Sequence, residues 1–77
     1  MERIIKVGKT YRHFKGDLVK VISIARHSET LEDLVIYEHG NNIWARPYDM
    51  FNSLVDKEKY PNVEQKYRFE EVDMSDN

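Results

Sequence analysis

The sequence predicts an all-β fold, a small SH3-like barrel of about five strands with one short helical turn before the last. Three observations carry that expectation. The 77 residues form a single small domain with room for one core. Short runs rich in Val, Ile, Tyr and Phe recur between Gly-, Asn- and Asp-bearing turns. Only one stretch, Tyr48–Val55, has helical spacing. An OB-type barrel is the alternative, although it usually needs more residues.

Residues 1–8 mix Ile4, Ile5 and Val7 with charges and read as a short edge strand or a lead-in. Lys9–Phe14 alternates, with Thr10, Arg12 and Phe14 on one side and Tyr11 and His13 on the other, so a strand is expected. Lys15-Gly16-Asp17 is a turn. Leu18–His27 is the next strand, and its alternation slips: Val19 and Val21 share one parity, Ile22 and Ile24 the other. A bulge or sharp bend near Ile22-Ser23 follows. Ser28–Asp33 reads as a hairpin connection, Leu34–Glu38 as a strand, and His39–Asn42 as a turn tolerant of positive φ.

Ile43–Arg46 forms another strand, ended by Pro47, which has no N–H to extend a ladder. Alternation is read here as placing Ile43 and Ala45 in the core and Trp44 and Arg46 on the other side. Met50 and Phe51 are expected to pack under the barrel. Asp56–Glu64, broken by Pro61, is loop, and Tyr67–Val72 is a last strand. The ordered domain is expected to span about residues 8–72, with 73–77 a frayed acidic tail without a function of its own.

Composition narrows the function classes. No cysteine is present, so neither a disulfide nor a thiolate-held metal contributes. The net charge of −2 argues against a dedicated duplex-DNA binder. The charge is uneven: residues 1–26 carry net +5 and the remainder −7. No stretch is apolar enough for a signal core or a membrane span, so a cytoplasmic protein without membrane attachment is expected.

The segments YRHFKG (11–16), IARHSET (24–30), VIY (35–37), WARP (44–47) and MF (50–51) resemble a bacterial family known as domain of unknown function 1653. The resemblance covers most of residues 8–55, and Arg68-Phe69 is similar to the family's closing Arg-Phe. It implies an SH3-like barrel and carries no established activity with it. The family usually has Gly after HSET, where this chain has Leu31.

Candidate site residues follow from chemistry. His27, Ser28, Glu29 and Thr30 are hydrolase residue types, but neighbours on an extended chain face opposite ways and no G-x-S-x-G elbow accompanies them. A hairpin whose hydroxyls satisfy turn amides, or a ligand-contacting turn, fits better. His13, His27 and His39 match no metal-ligand spacing, and no metal or cofactor is expected. Arg12, Arg46 and Arg68 lie beside aromatics in β-segments, where guanidinium groups can bind an oxyanion or pair with Glu29, Glu32, Glu38 or Glu70.

The leading expectation is therefore a monomeric binding module whose ligand is a peptide, a nucleotide or single-stranded RNA. Its site would be formed by Trp44, Arg46, His27, Glu29, Thr30 and Arg12, with the HSET turn near Arg46 across the hairpin. A structural domain that assembles through an exposed strand edge is the alternative, and an enzyme using His27 a more distant one.

Overall fold

A computed structural model describes residues 3–72, and the expectation of a frayed tail at 73–77 lies outside them. Five strands, β1 (Thr10–His13), β2 (Leu18–Arg26), β3 (Asp33–His39), β4 (Asn42–Pro47) and β5 (Phe69–Val72), form one antiparallel sheet in the order β4-β3-β2-β1-β5. A single helical turn, α1 (Tyr48–Phe51), follows β4 directly. The first four strands fall where the hydrophobic alternation put them to within a residue or so, whereas β5 begins at Phe69 rather than Tyr67 and the helical turn ends at Phe51 rather than reaching Val55. The sheet is not closed: β4 and β5 are its two edges and do not pair with each other.

The slipped alternation in the second strand is a β-bulge. Val21 pairs with Tyr37 and Ser23 with Ile36, leaving Ile22 as the extra residue. Before it the inward residues are Val19 and Val21; after it Ile24 packs against the core. The bulge bends β2 so that the sheet curls over one face.

That concave face carries Tyr11, Val19, Val21, Val35, Tyr37 and Phe69, with Phe51 from α1 at the centre. The Phe51 and Phe69 rings stack 4.1 Å apart, and Tyr11 meets Phe51 edge-on at 5.6 Å. These contacts hold α1 against the sheet, where β5 is also paired with β1 along the backbone. Ser53 and Val55 bond Arg68 and Lys66 along the backbone, which fixes the start of β5. The side chain of Gln65 ties the preceding loop to β1, its amide donating to the Arg12 and Tyr67 carbonyls, both at 2.9 Å.

Residues 3–8 form no strand, yet they belong to the packed body. Ile5 is buried; its amide donates to the Tyr48 hydroxyl and that of Lys6 to the Tyr11 hydroxyl, each at 2.9 Å. Arg3 lies over the Tyr67 ring, 3.9 Å from its centroid.

Two expectations about β4 and α1 are corrected. Trp44 and Arg46 do share a face, but it is the concave one, because they stand opposite the buried Tyr37 and Val35. Ile43 and Ala45 point the other way, and Ile43 is 65% exposed. The physical reason is that the core covers the inner face of the edge strand β4 only in part: Arg46 lies over the Phe69 ring and Trp44 stays half exposed. Met50 is also exposed, at 47%, since a single helical turn buries one residue and here that is Phe51.

Candidate functional site: a basic cleft between the sheet edges

The curl of the sheet brings β4 towards the β1–β5 side, and a cleft of about 320 Å³ opens there. Arg46 lines it from β4, His13 and Phe14 from the end of β1, and Lys15 from the following turn. Arg68 enters just before β5, and Asp56, Lys59 and Tyr60 come from the loop. A second hollow of about 160 Å³ shares His13 and Arg46 and continues over Tyr37, Phe69 and His39.

Local structure fixes each group. Arg46 stands opposite Val35, but its guanidinium reaches along the strand to the Tyr37 hydroxyl (3.5 Å) and lies 5.5 Å from the Phe69 ring centroid. Lys15 sits in the tight turn closed by the Gly16 amide on the His13 carbonyl, where Gly16 takes φ 109°. Phe14 and Tyr60 pack at 4.9 Å, and the ammonium groups of Lys15 and Lys59 each lie 5.6 Å from the Tyr60 centroid. These cation–aromatic contacts anchor the two lysines at the cleft wall.

His13 is stacked on Phe14 (4.5 Å) and meets Phe69 edge-on (4.9 Å). Burial depresses its pKa below the ordinary 6.5, and the positive charges of Arg46, Lys15 and Arg68 depress it further, opposed by Asp17. Its Nδ1 accepts the Lys15 amide at 3.1 Å, so the neutral ring carries its proton on Nε2 as a donor.

The cleft's cations are not neutralised from within. Among the described residues the ion pairs join Lys6 to Glu71, Arg26 to Asp33 and His39 to Asp17, and none involves Lys15, Arg46, Lys59 or Arg68. The pairing of Arg46 with Glu29 or Glu38 considered from the sequence does not occur. Asp56, the one carboxylate of the cleft, accepts the Glu58 and Lys59 amides instead.

The other expected residues lie elsewhere. His27 caps its own turn, its Nδ1 accepting the Glu29 amide at 3.1 Å and the Thr30 amide at 3.2 Å. Thr30 Oγ1 donates to the Glu32 carboxylate (3.2 Å). This turn borders a separate hollow lined by Arg26, Leu31, Glu32, Asp33, Tyr48 and Asp49. Arg46 reaches away from it, towards Tyr37, so the expected grouping of Arg46 with His27, Glu29 and Thr30 is not formed. Arg12 points to the convex face, opposite Leu18 and Glu70. Of the expected set, Trp44 and Arg46 stay together on one face.

Sequence reasoning passed over His13, Phe14, Lys15, Lys59 and Tyr60 as cleft residues. A signal for three of them was present, because YRHFKG, WARP and Arg68-Phe69, three segments that carry the family resemblance, are the ones that converge here.

Fold and cleft define a small all-β domain: an open antiparallel sheet whose basic groups gather where its edges approach. The chain belongs to the family described as protein of unknown function (DUF1653), whose model matches residues 9–71. No curated protein and no solved structure matched it.

Proposed function

We propose that this domain is a binding module that takes an oxyanion in the cleft between Arg46, Arg68, His13 and Lys15. The observation that carries the reading is the gathering of Lys15, Arg46, Lys59 and Arg68 from four chain segments, none of them ion-paired to a carboxylate among the described residues, in a chain of net charge −2. Like charges held together repel, and an anion between them removes that cost. Guanidinium groups supply paired donors that match phosphate or carboxylate geometry. The neutral His13 ring adds a donor that needs no protonation.

In this reading the domain is an open SH3-like barrel acting as a cytoplasmic monomer. The stacking of Phe51 on Phe69 and the reach of Arg46 to Phe69 support a barrel-like closure by side chains. Calorimetric titration with inorganic phosphate and pyrophosphate at low ionic strength tests the function. Saturable binding that weakens in Arg46→Gln and Arg68→Gln, with folding intact, supports it; no binding, or binding indifferent to both substitutions, refutes it.

One observation favours self-assembly as a second reading. Among the described residues the outer edge of β4 is unpaired, and the strand bears Ile43 and the half-exposed Trp44. Sedimentation that does not change with concentration removes that reading.

A further inference from the structure

Resting on the oxyanion reading, we infer that the ligand is a nucleoside phosphate, its phosphate held by the Arg46–Arg68 cleft and its base stacked on the indole of Trp44. Trp44 and Arg46 are two residues apart on β4, about 6.6 Å along the strand, and both face the concave side. The Arg46 guanidinium bonds the Tyr37 hydroxyl, and Tyr37 is the residue directly across from Trp44. The cationic head and the indole thus belong to one continuous stretch of the inner face. Trp44 is 49% exposed, and Arg46 lies over Phe69, leaving the indole without a cation–aromatic partner among the described residues.

A half-exposed indole on the same face as a fixed guanidinium, two residues along the strand, offers a stacking surface next to a cation. It suits a flat, polarisable ring attached to an anion. Bases stack on aromatic side chains whatever their identity, since each has a π-face, while phosphates take charged donors. A plain inorganic anion leaves the indole unused, and a carboxylate brings only one charge to a cleft with four cationic side chains. The nucleoside phosphate unit can arrive as a free nucleotide, whose phosphate carries about two negative charges, or in a single strand, whose successive phosphodiesters carry one each; both set a base to stack beside anionic oxygens.

The lone tryptophan makes the test direct. The intact chain is titrated with inorganic phosphate, adenosine monophosphate, uridine monophosphate and a short single-stranded oligoribonucleotide, following Trp44 emission and calorimetric heat. The monophosphates should bind about tenfold or more tighter than phosphate and quench the indole, whereas phosphate leaves emission unchanged. Trp44→Ala, at a half-exposed position, should reduce nucleotide affinity to that of phosphate while leaving phosphate affinity as it was. An oligonucleotide that binds tighter than the monophosphates supports the inference with a strand as the source; equal affinity supports it with the free nucleotide. Phosphate binding without any gain from the nucleoside, or a Trp44→Ala variant that binds nucleotide normally, overturns the inference and leaves the oxyanion reading standing. No binding of phosphate or nucleotide overturns both.

Discussion

Leu31 ends the turn after His27 with φ 66°, the one described non-glycine residue in the left-handed region. It is 64% exposed, and its amide donates to the His27 carbonyl at 2.9 Å, so the turn rather than packing imposes the conformation. A side chain there costs about 1–2 kcal/mol, because Cβ crowds the backbone. Glycine removes that cost but brings about 0.5–1 kcal/mol of extra unfolded-state entropy. Leu31→Ala keeps the strain and loses the same partial packing, which makes it the proper reference. The glycine variant should therefore be more stable than the alanine variant by about 0.5–1 kcal/mol. At roughly 4–8 °C per kcal/mol for a domain this small, the Tm gap is about 2–8 °C. Thermal unfolding followed by circular dichroism measures it. At Ser28, in the same turn without positive φ, the order should reverse, with alanine at least as stable as glycine. If the glycine variant at position 31 melts below the alanine variant, the strain argument is wrong.

Other expected outcomes concern the core, the cleft and the loop. Phe51→Ala should cost about 3–5 kcal/mol and unfold much of the population at room temperature, since Phe51 is 0% exposed and stacks on Phe69; Met50→Ala should stay within about 0.5 kcal/mol of the parent in a urea titration. Because the folded His13 pKa lies below its ordinary 6.5, the unfolded chain binds the proton more readily. Stability should thus be unaffected by this group well above pH 6.5 and fall as pH drops through 6.5 towards the folded value. Denaturant midpoints across that window should show a smaller acid loss in His13→Gln. Gln65→Ala removes the side-chain bonds that join the loop to β1 and should cost about 1–2 kcal/mol, with faster amide exchange at residues 66–68 as the readout.

Much of the fold was legible in the sequence, and the reasons are local. Strand alternation, the turn at Gly40, the stop at Pro47 and the parity slip at Ile22 each follow from one stretch of chain. The inside of β4 was not legible. Alternation says that Trp44 and Arg46 share a face, but which face is inner depends on the register with β3, and Ile43 made the wrong side look apolar. Barrel closure was not legible either, since it depends on how far the bulge at Ile22 curls the sheet. The same limit applied to the site. Arg46 could be singled out, yet its neighbours His13, Lys15 and Arg68 come from distant segments that only the curl of the sheet brings together. The chemistry of the HSET turn was readable as residue types, and its geometry resolves them into a His27-capped turn.

The central claim is that an oxyanion enters between Arg46 and Arg68 rather than at the HSET turn. An amide and side-chain NMR footprint of pyrophosphate on the intact chain at low salt tests it most directly. The expected result is saturable shifts at residues 13–15 and at the guanidinium signals of Arg46 and Arg68, with residues 27–30 still. Shifts concentrated at residues 27–30, or none that saturate, contradict it.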